Sequence, residues 1–330
     1  MNKNFSIYLD FIHFVAAIIV LLHHFSDILF SSDMRIFNIG HEAVVIFFVL
    51  SGYVVTYSVE VKKNSAKEYF IARFSRVYSV AIPAIILTII LDVAGTTYCY
   101  DCYQDIYIAL DHSLIRFLSS ITFTGELWFI SILSFGNIPY WSIHYEIFFY
   151  VFFGAMLYSQ TIYRTPILCL LLLIAGPKIA IMLPLWLFGT YLYEKSKNDM
   201  PTVIASSVWL ISTITLIVLV TFDAKNGITN VTNDWFKQYI TLNVNMAGSS
   251  FFIFDYLFAI FFGFHLLTTK KLFDRFDTEF YQTKMAAIIR YLANRTFSIY
   301  LYHFPLLGFL NAVLPSTLTN TARWASILVL

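Results

Sequence analysis

Residues 6–30 read SIYLDFIHFVAAIIVLLHHFSDILF. The run is 25 residues long, it contains neither Lys nor Arg, and its only acids are Asp10 and Asp27. A helix needs about 20 apolar residues to cross a bilayer, so this stretch reads as a membrane span. The rest of the chain repeats the pattern. Of its 330 residues, 59 % are hydrophobic, 19 % aromatic and 12 % charged, and the mean hydropathy is +0.72. Soluble domains carry about 25 % charged residues. This composition excludes a disordered chain, a coiled coil, a collagen and a disulfide scaffold. A net charge of +1 gives no electrostatic footprint for nucleic acid. The apolar runs are long and do not alternate, which excludes a transmembrane barrel.

The fold class expected is therefore all-α, a polytopic helical bundle of about ten transmembrane helices. Spans fall near 6–30, 41–59, 77–95, 139–159, 165–177, 180–193, 202–222, 250–268 and 293–313. A last run, Trp324–Leu330, stops after seven residues and reads as a helix that is either short or truncated. No small-residue cleavage site follows Phe30, so no cleavable leader is expected. The stretch 165–193 is read as two short helices broken at Gly176-Pro177. With the N-terminus inside, 15 of the Lys and Arg lie on the inner side and six, Lys178 among them, in outer segments, as the positive-inside rule requires. The six-cation segment 270–295 then lies inside and the mixed stretch 96–138 outside. Cys99 and Cys102 fall in that outer stretch, as a structural pair or as free thiols. There is no repeat, and the whole of 1–330 reads as one domain.

Ionisable groups within spans cost about 2.5–3.5 kcal/mol each on insertion scales and mark candidate sites. The first span holds Asp10, His13, His23, His24 and Asp27. At about 100° per residue, His24 returns to within about 20° of His13, and the two lie about 16 Å apart along the axis. Asp10, His13 and His24 thus form one polar stripe, and His23 points elsewhere. Asp27, three residues past His24, is close enough to orient its ring. Ser142, Glu146 and Tyr150 follow i, i+4, i+8 spacing and share a face. Arg73 and Arg76 share a face at i, i+3, and paired guanidiniums suit phosphate. His303 lies two residues before Pro305, where a bend is expected and bent polar helices line cavities. The same residues also admit plainer readings: packing hydrogen bonds for the histidines and Glu146, positive-inside topology for the arginines. Ser51-Gly52 reads as a close helix contact. His41 and Glu42, near the outer mouth, could equally be solvated.

Five phrases, in order, carry a resemblance. YLDFIHFVAAIIVLLHH, FFVLSGYVV, FIARFSRVYSVAIP, PYWSIHYEIFFY and FSIYLYHFPLL resemble the motifs of acyltransferase family 3, membrane enzymes that modify cell-surface sugars. His13 stands where the family has arginine, Ser79 where a proline often follows the arginine pair, and Ile143 where it has leucine. The resemblance implies transfer of an acyl group, usually acetyl, from cytoplasmic acyl-CoA to a hydroxyl of a carbohydrate or glycolipid. It implies the plasma (bacterial inner) membrane, no metal, no permanently bound cofactor, and no soluble esterase-like domain at the C-terminus. The family's catalytic histidine corresponds to His24. Asp27 and Glu146 would assist it. Asp10, His13, Arg73, Arg76, Trp141, Ser142, Tyr150 and His303 would bind substrate. His24 would act as general base; an acyl-histidine is the mechanistic alternative. The rival class is a proton-coupled transporter using the same His, Asp and Glu residues, although no inverted repeat supports it.

Overall fold

The computed structural model describes residues 2–29, 38–104, 111–239, 246–275 and 279–314. Among these the architecture is all-helical, with one isolated bridge between Ser134 and Asn137 and no strands. The helices are α1 (Lys3–Leu29), α2 (Gly40–Lys62), α3 (Ala66–Tyr98), α4 (Tyr100–Gln104), α5 (Ser113–Thr122), α6 (Trp141–Tyr158), α7 (Thr161–Ala175), α8 (Pro177–Lys195), α9 (Thr202–Thr221), α10 (Ala224–Tyr239), α11 (Phe252–Arg275), α12 (Lys284–Ala293) and α13 (Thr296–Val313).

Each of the first nine spans read from the sequence has its helix. Five of them, α1, α2, α3, α9 and α11, are long and apolar enough to cross a membrane. Helices α7 and α8 separate where expected. Gly176 sits at φ +77°, in the left-handed region that glycine adopts freely, and Pro177 opens α8, where a missing N–H costs nothing. The run Trp324–Leu330 lies outside the described residues. Cys99 is disulfide-bonded and Cys169 is free.

Three regions differ from the expectation. Helix α3 begins eleven residues earlier than the span at 77, because Ser65 and Glu68 form a capping box: Ser65 N–H donates to Glu68 Oε2 at 2.8 Å and Glu68 N–H to Ser65 Oγ at 3.4 Å. That reciprocal pairing satisfies two of the open donors at the helix start. The segment 270–295 contains the amphipathic α12, capped by Thr283. The segment after α9 contains α10.

Contacts at opposite poles show that the helices alternate in direction. At the N-terminal end, Asn2 donates to Phe273 O, Tyr53 to Ser196, Tyr158 to Asn64 O and Arg275 to Met200 O. At the far end, His41 meets Asp255, Lys225 meets Glu42, and Ser249 donates to Lys178 O. Between the poles α2 packs on α1 and α8, and α13 on α1 and α3.

The outer faces are apolar: Val203 is 78 % exposed, Ile162 75 % and Leu173 62 %. A contiguous apolar surface of this kind suits hydrocarbon, not water. The same bilayer removes the hydrophobic drive between helices, so close backbone packing must hold them. Gly52 and Gly189 supply it. A Cβ built on Gly52 would lie 2.0 Å from Trp186 O, and one on Gly189 2.0 Å from Val49 O. The close contact expected at Ser51-Gly52 is thus reciprocal between α2 and α8.

Gly52→Ala should force the two backbones apart and cost about 1–3 kcal/mol, the range for overpacking. Thermal unfolding in detergent should show a lowered midpoint; Gly227→Ala, with nothing within 4 Å, should not.

Candidate active site

A cavity of about 560 Å³ runs from Ser6 and Tyr57 at the N-terminal pole to Val44 and Ser142 in the first turns of α2 and α6. Each wall is one helical face. Helix α1 contributes Ser6, Leu9, Asp10 and His13; α2 contributes Val44, Phe47, Phe48, Ser51, Val54 and Val55; α3 contributes Arg76, Ser79 and Val80; α6 contributes Ser142, Ile143, Glu146 and Tyr150. Helix α13 adds Thr296, Phe297 and Tyr300, and the turn from α12 adds Ala293 and Asn294. The spacings of three and four are those of residues stacked on one side of a helix. Its mouth, at Ser6, Tyr57, Arg76 and Asn294, lies at the N-terminal pole.

The face of α6 read from the sequence is real, but its bonding differs in one member. Glu146 Oε1 accepts from Ser51 Oγ at 3.0 Å and from Tyr150 OH. Trp186 Nε1–H in turn donates to Ser51 at 3.1 Å. Ser142 does not join this node. Its hydroxyl pairs with Tyr300 OH at 2.7 Å, and both donate to or sit by Pro139 O, at 3.2 and 3.1 Å. Ser142 therefore ties α6 to α13, and Ser51, read only as packing, belongs to the site.

The arginine pair divides. Arg76 is exposed and lines the cavity. Arg73 is 8 % exposed and does not line it. Its Nη2 donates to Ser58 at 3.3 Å and its guanidinium lies 6.0 Å from the Tyr150 ring. Two residues at i, i+3 differ by about 60° in direction, enough here for one to face the opening and the other the packing beside it.

Asp10 and His13 share the cavity wall as the stripe predicts. His13 Nδ1 lies 3.0 Å from Leu9 O. A carbonyl only accepts, so this nitrogen carries a proton. His24 lies beyond the cavity, toward the far pole. Its ring stacks on His303 at 5.4 Å and meets Phe304 edge-on at 5.0 Å. His303 Nδ1 sits 3.1 Å from Ile299 O, so it too carries a proton; the buried Nε2 has no hydrogen-bond partner among the described residues. The His303 ring is 6.2 Å from Tyr300, which lines the cavity. Tyr300 and His303 thus link the cavity to His24.

Asp27 was expected to orient His24. The carboxylate pairs with His23, whose Nε2 is 3.4 Å from Oδ2, four residues back on the same helix. His23 is accordingly part of the cluster: its ring is 5.0 Å from that of His24. Ligand atoms of His23, His24 and Asp27 all lie within 4.8 Å of one another, the one grouping among the described residues that could hold a metal ion.

At the far pole, His41 and Glu42 are not solvated. His41 Nε2 is 2.9 Å from Asp255 Oδ1, and Glu42 is 3.2 Å from Lys225. Asp255 is fully buried, and Glu42 and Lys225 are each 4 % exposed. Trp141 stacks on His41 at 6.3 Å and packs on Tyr145, so it borders this pole rather than the cavity. Lys178, counted in the sequence as an outer-loop cation, is fully buried against Glu126 at 2.5 Å, with Ser131 at 2.9 Å. Partners for these groups lie far away in the chain, and no local pattern signals them.

The profile described as an acyltransferase domain, that of acyltransferase family 3, matches residues 6–330. The chain belongs to that family, and it is an acyltransferase. No curated protein and no solved structure matches it.

Glu146→Leu should strand the Ser51 and Tyr150 donors in a dry interior. A buried donor left unmet costs about 1–3 kcal/mol, so the unfolding midpoint should fall clearly. Glu146→Gln keeps an acceptor in place and should unfold close to wild type.

Proposed function

We propose that the protein transfers an acyl group, acetyl in the simplest case, from acyl-CoA to a hydroxyl of a cell-surface or exported carbohydrate or glycolipid. The observation that carries this reading is the placement of His24. It sits about 27 Å along α1 from Ser6, past the end of a cavity that opens at the opposite pole, with Tyr300 and His303 between. With the N-terminus in the cytoplasm of a bacterial inner membrane, the donor enters by the N-terminal mouth and the acceptor approaches from the outer side. Neither substrate then has to cross the bilayer.

The acceptor hydroxyl gives its proton to His24, and its oxygen attacks the thioester carbon. The carbon–sulfur bond breaks, and the coenzyme A thiolate takes the proton back from the imidazolium. The products are the O-acyl sugar and free coenzyme A, and His24 ends neutral. A histidine suits this exchange because its reference pKa, about 6.5, lies near working pH. His303, with a buried Nε2 beside His24, and the His23–Asp27 pair hold the imidazole in position. Arg76 would meet donor phosphate at the mouth. Arg73, stacked beside Tyr150, supports the wall that carries Glu146.

His24→Ala should fold and insert yet lose transfer. Surface glycans from cells carrying only this variant should lack an acyl mass that wild-type cells show in mass spectrometry. An unchanged glycan spectrum in the deletion strain itself would overturn the acceptor class. His23→Ala should retain part of the activity, since Asp27 and His303 still flank His24.

His13 occupies the family's arginine position and lines the cavity with Asp10. If that position acts as a cation, the imidazole supplies it only when protonated, so transfer should fall as pH rises through its titration. His13→Arg should hold activity at alkaline pH, and His13→Gln should be impaired throughout. The check is a transfer–pH profile in proteoliposomes with the N-terminal side buffered. A fully active His13→Gln would show the charge to be dispensable.

A further inference from the structure

The cavity mouth carries only one of the two guanidiniums that the sequence assigned to it, since Arg73 is buried against Ser58 and Tyr150. A second cation is available from an unexpected quarter. Helix α12 packs on α1, and Ala293 and Asn294, at its C-terminal end, line the mouth. Arg290 precedes them by three and four residues, so it lies on the same face of the helix, one turn back. The helical bond from Asn294 N–H to Arg290 O, 3.0 Å, fixes that phase. Arg290 is exposed, and Asp10, on the helix against which α12 packs, lines the same cavity. On the α3 wall, Arg76 is likewise exposed and lines the cavity.

We propose that Arg290 of α12 and Arg76 of α3 form the phosphate clamp of this site, gripping the phosphates of coenzyme A from two sides of the mouth. The inference rests on the acyl-CoA donor proposed above. Guanidiniums on two separate helices suit a ligand with several phosphate groups, because each can offer a fork of donors to a different phosphate. It also gives α12 a function: the amphipathic helix, with Met285 and Ile288 exposed on another part of its surface, holds one half of the clamp over the opening while the thioester end of the donor passes inward.

The test is calorimetric titration of the purified full chain in detergent with coenzyme A and, separately, with pantetheine, which has the same thiol arm and no phosphate. The proteins are wild type, Arg290→Ala and Arg290→Lys, with Arg76→Ala as reference and thermal unfolding measured for each. The expected result is that Arg290→Ala weakens coenzyme A about tenfold or more, the scale of a lost charge-assisted contact. Pantetheine affinity should be unchanged, and Arg290→Lys should recover part of the loss. Equal coenzyme A affinity in wild type and Arg290→Ala would overturn the clamp and leave the donor reading standing. Equal weakening of coenzyme A and pantetheine would show a structural effect and also overturn it. A wild-type protein that binds no coenzyme A would overturn the donor reading, and the clamp with it.

Discussion

Hydrocarbon offers no hydrogen-bond partner, and every polar group inside this bundle is placed by that fact. A donor or acceptor left unmet there costs several kcal/mol. The consequence is visible at Glu146. One carboxylate oxygen gathers Ser51 from α2 and Tyr150 from its own helix, and Ser51 gathers Trp186 from α8. Three helices are thereby held in register around the cavity wall. The glycines at 52 and 189 let α2 and α8 approach closely enough for the Trp186–Ser51 bond to form. Packing and polar satisfaction are here one requirement, since the backbones must touch before the side chains can pair.

The polar residues lie toward the two poles of the bundle. The N-terminal stratum is open, with Asp10, His13, Arg76 and Glu146 around the cavity. The far stratum is closed: His41–Asp255, Glu42–Lys225 and Glu126–Lys178 are buried pairs. Breaking such a pair from one side leaves a buried charge, so these contacts act as locks on the helix ends. His24 and His303 stack close to these pairs, since a Cβ on Gly40, next to His41, would meet the His23 ring at 2.4 Å. The separation assigns rigidity to one pole and access to the other.

Much of this was legible in the residues themselves. Long runs without Lys or Arg gave the helices at 6–30, 41–59 and 202–222, because a span must be apolar throughout. Gly176-Pro177 marked the break between α7 and α8 through the dihedral freedom of one residue and the missing donor of the next. Helical phase placed Asp10 with His13, and Glu146 with Tyr150, since residues three and four apart share a face. The five ordered phrases pointed to the family to which the chain belongs.

What the tertiary structure alone decided is which face meets which neighbour. In a soluble helix the apolar stripe marks the buried side. Here α2, α6 and α8 are apolar all round, because lipid and protein interior ask for the same side chains, and the pattern loses its direction. So the sequence could pair Arg73 with Arg76 but not tell that one would be buried at Ser58 and the other open to the cavity. It could place Ser142 beside Glu146 but not reveal Tyr300, 158 residues on, as its partner. It read Lys178 as a loop cation, and only the fold of 123–138 over α8 closed Glu126 around it. Local periodicity is a property of one helix; partners come from helices far away in the chain, and their meeting is settled by how the whole bundle satisfies its polar groups where no water can.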